Sequence, residues 1–287
     1  MSATVYLNGE YVPYERALIS VEDRAFLFAD GIYEVVRVYG GRPFDLEPHL
    51  ARFARSAREL RLPEPDAENL AAVTRELIQR NGLNEGTVYF QITRGAHGPR
   101  AHVFPTGAVA PTVVVLTHPL SPEGLAAIEQ HLREGVAAIT VPEQRWARCD
   151  IKSVSLLPNV LAKQQAAEHG AYEALFVRDG FVIEGSSSNL FAVLGGEIVT
   201  YPACNYILNG IARQRAIRTA RELGYTVREE GIPLGALSRC QELFLTSTTA
   251  EVTPIVTVDG QPIGGGAVGP VVRALQAAYR EAVQALG

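Results

Sequence analysis

Lys152 stands in Arg148-Cys149-Asp150-Ile151-Lys152-Ser153, after an apolar residue and close in the chain to Arg145 and Arg148. Nearby cations and partial burial both lower a lysine's pKa from about 10.4 towards about 7–8, where the amine can attack a carbonyl and then move protons. A surface lysine paired with Asp150 is the other reading of these residues. Glu184 ends the apolar run Gly180-Phe-Val-Ile and precedes Gly185-Ser186-Ser187-Ser188-Asn189. A carboxylate there could accept an N–H from a protonated ring nitrogen. A solvated Glu on an ordinary Ser/Gly turn is its alternative.

Anion-binding groups come from four other places. Asn209-Gly210-Ile211-Ala212-Arg213 opens a helix, whose first unpaired N–H groups and positive dipole end suit a phosphate. Thr246-Ser247-Thr248-Thr249 follows a strand and could add hydroxyls. Arg52 lies off the apolar face of its helix, as a solvated charge or as the arginine a buried phosphate recruits. Arg100 and His102 are two apart, so an extended backbone turns both to one side as a carboxylate trap; an exposed basic loop is the alternative. Tyr33 shares a strand face with Val35 and Arg37, and a half-buried structural Tyr is its default reading.

The elements that must hold these groups are legible in outline. Asn8-Gly9 marks a hairpin, and Ile32 to Tyr39 is a β-branched and aromatic strand ended by Gly40-Gly41. Asp45 can cap a helix reaching about Leu60 with Leu50, Phe53, Ala54, Ala57 and Leu60 inward. A second helix runs from about Pro65 to Arg80, with Leu70, Val73, Leu77 and Ile78 inward and Asn81-Gly82 as its stop. Strands follow at Thr87 to Thr93 and Thr112 to Thr117. Further on come a strand near Val136–Val141, a helix from about Pro158 to His169, and hairpins turning at Asp179-Gly180 and Gly195-Gly196. A helix from Ile211 to Leu223, a strand Glu242–Thr246, a hairpin at Asp259-Gly260 and a helix from about Gly269 close the chain.

A length of 287 residues suits two domains, or one large one. Pro, Ser and Gly concentrate after Thr117, which sets a small α+β N-terminal domain at 1–117, a linker at 118–124 and a larger α/β C-terminal domain at 125–287. Two mixed α/β lobes with a ligand cleft between them is the expected architecture. Hydrophobic residues make up 47% and charged residues 20%, ordinary for a globular protein. A net charge of −5 without a Lys/Arg run argues against nucleic acid or an anionic membrane as partner. No apolar stretch reaches the roughly 18 residues of a membrane helix, and the N-terminus lacks an apolar signal core. Three scattered cysteines and six histidines without a His-Glu-x-x-His pair predict no disulfide framework and no metal site. A cytoplasmic enzyme with reduced thiols is the expectation.

The linear order of these groups carries a resemblance. Glu184-x-Ser186-x-x-Asn189-Leu190-Phe191, then Ile198-x-Thr200, then Leu208-x-Gly210-Ile211-x-Arg213 resembles the signature of class IV aminotransferases, the fold-type IV enzymes of pyridoxal 5′-phosphate (PLP). Arg24-x-Phe26, Asp30-Gly-Ile-Tyr33-Glu34, His49-Leu-Ala-Arg52, Tyr89-Phe-Gln-Ile-Thr-Arg94-Gly, Leu161-Ala-Lys163-Gln164 and Thr246-Ser-Thr-Thr-Ala-Glu251 extend it over nearly the whole chain. Within the family, Arg100-x-His102 with Tyr33 and Cys149-Asp-Ile-Lys152 is similar to the D-amino acid aminotransferases.

The resemblance implies a two-domain fold, a homodimer and a role for each matched residue. Lys152 would hold PLP as a Schiff base and shuttle the proton between Cα and C4′, and Glu184 would pair with the ring nitrogen. Arg52, the amides of Ile211 and Ala212, and Thr248 would hold the phosphate. Tyr33, Arg100 and His102 would bind the substrate carboxylate, with the loop that carries Arg100 and His102 reaching the neighbouring subunit's site. At position 212 the family often has Thr; Ala keeps the amide but loses a hydroxyl, about 1 kcal/mol for one hydrogen bond. The implied reaction is transamination between a D-amino acid such as D-alanine and a 2-oxo acid such as 2-oxoglutarate. Alternatives are a branched-chain L-amino acid aminotransferase or a PLP lyase of the same fold, and a PLP-binding protein without turnover. A serine hydrolase built on Gly185-Ser-Ser-Ser lacks the Gly-x-Ser-x-Gly context.

Overall fold

Asn8 and Gly9 hold φ values of 51° and 102°, and the turn they make pairs β1 (Thr4–Leu7) with β2 (Glu10–Pro13). This hairpin opens the first of two compact units in the structure, a computed structural model that describes residues 3–286. The first unit runs to Leu120 and takes in Ile151–Ser155; the second holds Ser121–Asp150 and the chain from Leu156 onward.

In the first unit a short helix α1 (Arg24–Phe28) is capped by the Asp23 carboxylate, which accepts from the Ala25 amide at 2.8 Å. Its one turn is too short for an apolar period to be read. Strand β3 (Gly31–Tyr39) turns through Gly40-Gly41 into β4 (Arg42–Pro43). Helices α2 (Leu46–Glu59) and α3 (Ala67–Arg80) follow, then β5 (Gly86–Thr93) and β6 (Val113–Pro119). The six strands form one antiparallel sheet in the order β2-β1-β6-β5-β3-β4. Helix α2 packs on β3, and α3 on β1 and β6. Phe53, Leu70, Val73 and Leu77 meet Ile32, Val36, Val88 and Phe90 in a core where each large side chain contributes about 1.5–3 kcal/mol by burial.

Two expectations about helix ends change here. Asp45 precedes α2, but at φ 54° it makes no side-chain cap; Asp66 does cap α3, accepting from the Asn69 amide at 2.9 Å. The Pro/Ser/Gly stretch expected as a linker is mostly regular structure. Pro119 ends β6, and Ser121 caps α4 (Pro122–Glu134) with Pro122 at its first turn. Pro fits the first helical position because its missing N–H would be unpaired there anyway.

The second unit continues with β7 (Val136–Pro142), α5 (Leu157–Glu168), β8 (Glu173–Arg178), β9 (Phe181–Gly185), β10 (Asn189–Leu194) and β11 (Glu197–Thr200). Then come α6 (Ile211–Glu222), β12 (Val227–Glu229), β13 (Ile232–Pro233), β14 (Glu242–Ser247), β15 (Glu251–Val258), β16 (Gln261–Pro262) and α7 (Pro270–Gln284). The sheet order is β12-β11-β10-β14-β15-β7-β8-β9-β13, with β16 beside β15. One further pairing, Asn189 with Glu184, joins β10 to β9 and closes the strands from β10 round to β9 into a ring. Closure leaves no open edge on those strands. Strands β7 and β8 are parallel, so they need a crossover, and α5 lies in it. Ile151–Ser155 belongs to that same crossover although its contacts put it in the first unit, a departure from the 125–287 domain expected from the sequence.

Candidate active site

Lys152 lies in no strand; its segment is stitched to β3. The Tyr33 amide donates to the Lys152 carbonyl at 3.0 Å, and the Val154 amide donates to the Gly31 carbonyl at 3.1 Å. Ile151 is buried in the first core and Ser153 bridges to Ile32. With both neighbours anchored, the half-buried Lys152 places Nζ 4.3 Å from the centroid of the Tyr33 ring. That ring stacks on Tyr89 at 5.6 Å, and burial followed by the nearby Tyr33 pushes the Tyr89 hydroxyl up to about 12.

The arginines expected to crowd the lysine have other partners. Arg148 Nε donates to Asp150 at 3.0 Å, which also gives Asp150 a cation other than Lys152. Arg145 pairs with Glu143 and Glu184, both at 2.5 Å.

Arg52 is not the solvated charge that its place off the apolar face suggested. Its Nε and Nη2 donate to the two oxygens of Glu34 at 2.6 and 2.8 Å, and His49 Nδ1 lies 2.8 Å from the same carboxylate. Glu34 is fully buried. Burial alone would push its carboxyl up, but the Arg52 charge and its hydrogen bonds, with His49, hold it well below the usual carboxylate range. The signal for this cluster was in the pattern: Glu34 alternates with Ile32, Val36 and Val38 on the buried face of β3.

Arg100 and His102 converge on one aromatic side chain. The Arg100 guanidinium lies 4.4 Å from the Phe28 ring centroid, and the His102 ring lies 5.2 Å from it. Both residues are exposed, and Arg24 Nη1 holds the loop by donating to the Ala101 carbonyl at 2.7 Å.

In the second unit Glu184 sits near the end of β9, buried and not solvated. It accepts from Arg145 Nη1 at 2.5 Å, from Asn189 Nδ2 at 2.9 Å and from the Leu208 amide at 3.2 Å. Burial pushes its carboxyl up to about 7, a shift that Arg145 and the Leu208 amide reduce but do not cancel. The Ser-rich turn that follows is ordered by another buried carboxylate: Ser186 Oγ donates to Glu173 at 2.5 Å and Ser188 Oγ at 2.8 Å.

Helix α6 starts at Ile211 after Gly210, and no side chain caps it. The amides of Ile211 and Ala212 occupy its first turn, where a helix offers unpaired donors. Thr246, at the end of β14 and paired in register with Asn189, carries a buried Oγ1 without a hydrogen-bond partner among the described residues. Thr248 lies in the turn between β14 and β15. Reading by composition passed over Asn189 as a site residue, although it stands in a quoted motif, and named Thr246 only within the run Thr246–Thr249.

A buried carboxylate acceptor beside an uncapped helix start, on a ring of strands, can hold a flat ligand bearing a ring N–H at one end and a phosphate at the other. Residues 31–258 match the family model of amino-transferase class IV, and the chain belongs to that family. It is similar to the D-alanine aminotransferase of Staphylococcus aureus (strain N315), 42% identical over 281 residues that cover 98% of each chain. Among solved structures, the branched-chain amino acid aminotransferase of Escherichia coli superposes with a TM-score of 0.90 at 28% identity, over 98% of this chain and 94% of that one. The branched-chain amino acid aminotransferase of T.th. with pyridoxamine 5′-phosphate gives 0.87 at 32% identity, over 99% and 95%. Among the described residues no helix is long and apolar enough to cross a membrane.

Proposed function

We propose that the chain transfers the amino group of a D-amino acid such as D-alanine to a 2-oxo acid such as 2-oxoglutarate, using PLP, and works as a homodimer in the cytoplasm. The observation that carries the cofactor is Glu184, an acceptor buried within one hydrogen bond of residues that lead to the start of α6. The unpartnered Thr246 hydroxyl and the uncapped α6 amides supply donors for a phosphate, so the residues present fit the group.

When bound, PLP supplies an aldehyde that an amine can join and a ring that draws electron density from Cα. Glu184 accepts the ring N–H, and with room for about four hydrogen bonds on a carboxylate it can do so beside its present donors. The amides of Ile211 and Ala212, Thr248 and Arg52 hold the phosphate. Lys152 Nζ would be the amine that holds the aldehyde, and it would carry the proton between the substrate Cα and the cofactor C4′. Tyr33, Arg100 and His102 orient the substrate carboxylate.

Support for the D-amino acid comes from the Arg100-x-His102 pair and from the higher identity to a D-alanine aminotransferase than to the branched-chain enzymes. In keeping with a homodimer, Leu18, Val21, Phe26 and Val103 are each at least three-quarters exposed in the first unit, apolar surface that a second copy would cover. Three free cysteines suit a reducing compartment. The deciding experiment measures kcat/KM for D-alanine and L-leucine with 2-oxoglutarate, in the wild type and in Lys152→Ala. D-alanine should be the better substrate and the variant should not turn over. A preference for L-leucine would move the assignment to branched-chain amino acids, and multiple turnover by Lys152→Ala would end the role given to the lysine.

A further inference from the structure

Asn189 touches both the ring-nitrogen acceptor and the approach to α6. Its Nδ2 donates to Glu184 Oε2 at 2.9 Å and to the Leu208 carbonyl at 2.7 Å. Both partners accept, which fixes the amide orientation and sends Oδ1 the other way. Oδ1 points at Gly210: a β-carbon there would collide with it, and Gly210 directly precedes the first residue of α6. The backbone of Asn189 is pinned as tightly, since it pairs with Glu184 on β9 and with Thr246 on β14. The residue is buried, so none of these bonds is exchanged with water at low cost.

We infer that Asn189 is a positioning residue that sets the span between Glu184 and the first amides of α6, and so matches the unit to a ligand of fixed ring-to-phosphate length. This rests on the reading that PLP occupies both ends. The geometry also explains why position 210 carries no side chain although its φ of −60° would suit any residue. The constraint there is the close approach of Asn189 and not the backbone angle.

The test titrates cofactor-stripped, full-length protein with PLP and with pyridoxal, which lacks the phosphate, and follows absorbance. Melting temperatures of each variant are recorded alongside. Glu184→Gln should weaken both ligands by a similar factor, leaving the preference for PLP intact. Gly210→Ala should chiefly reduce that preference. Asn189→Ala should do both, roughly tenfold in each quantity, the size of one hydrogen bond to a charged group. If Asn189→Ala does not fold, Asn189→Asp keeps the shape while replacing the shared donor, and the same double loss is expected. A folded Asn189 variant that binds both ligands like the wild type, or loses affinity without losing the preference, would overturn the inference. A wild type that binds neither ligand would instead overturn the PLP reading itself.

Discussion

Tyr33 and Lys152 are joined twice, once through the backbone and once through the side chains. The Tyr33 amide donates to the Lys152 carbonyl at 3.0 Å, and Lys152 Nζ lies 4.3 Å from the Tyr33 ring centroid. The backbone bond survives any substitution at position 33 that keeps the N–H, so a variant isolates the ring. Tyr33→Phe keeps the stacking on Tyr89 and the face offered to the amine, and its melting temperature should stay near that of the wild type. Tyr33→Ala loses the ring and about 1 kcal/mol of cation–π attraction at Lys152, besides packing. Thermal melting with kcat/KM for D-alanine checks this: equal stability of the two variants would mean that the ring does not position the lysine.

Glu184 should leave its mark on both rate and pH dependence. Glu184→Ala should lower kcat by orders of magnitude, each factor of ten being about 1.4 kcal/mol of barrier. Without cofactor, the folded chain holds the Glu184 proton up to about pH 7, whereas the ordinary value is 4.5. The folded-state pKa is raised, so its stabilisation is complete below about 4.5 and is lost as pH rises through 7, on the order of 3 kcal/mol. Urea midpoints of cofactor-stripped wild type and Glu184→Gln at pH 5 and pH 8 test this. The wild type should fall relative to the variant at pH 8; parallel profiles would refute it.

The Glu34 cluster has the opposite sign. Its folded-state pKa is lowered, so its contribution is present above the ordinary 4.5 and is lost as pH falls towards the folded value. Glu34→Gln leaves Arg52 and His49 without their shared carboxylate and should cost about 3–5 kcal/mol at pH 7, the usual result of breaking a buried ion pair from one side. Denaturation at pH 7 and pH 3 should show the gap between variant and wild type narrowing in acid. A loss of stability independent of pH would point to packing alone.

Arg100→Ala tests the D-amino acid reading directly. Arg100 is exposed in the single chain; if the bound complex shields it from water, its loss should cost roughly 2–5 kcal/mol in kcat/KM for D-alanine. A chiral amine without a carboxylate should be much less affected, and the ratio of D- to L-alanine activity should fall. Equal losses for all three substrates would reduce Arg100 to its contact with Phe28.

Much of this was legible from local rules. Asn8-Gly9, Asp179-Gly180, Gly195-Gly196 and Asp259-Gly260 all adopt the positive φ that their types permit, because a two-residue hairpin depends on little beyond itself. The inward faces of α2 and α3 followed from helical spacing in the same way. The helix α4 was hidden because Ser-Pro-Glu-Gly is both a loop composition and a good helix start, and only the tertiary setting decides between them. Charge partners were the least legible. Arg145 lies near Lys152 in the chain but pairs with Glu143 and Glu184, the latter 39 residues away, and Arg52 pairs with Glu34 on a different element. Sequence distance carries no information about which carboxylate a buried arginine will find.

The detour of Ile151–Ser155 bears on how the chain can be made. Ile151 is part of the first core, yet it is encoded after the opening helix and strand of the second unit. A nascent chain leaving the ribosome therefore cannot complete its first unit when residue 120 emerges; it must wait through at least another 30 residues with a gap beside β3. A fragment ending at Leu120 would carry the same gap permanently, exposing Ile32 and the Gly31 carbonyl. Synthesis order and folding order are out of step here, and the residue delivered last to the first unit is the lysine's own segment.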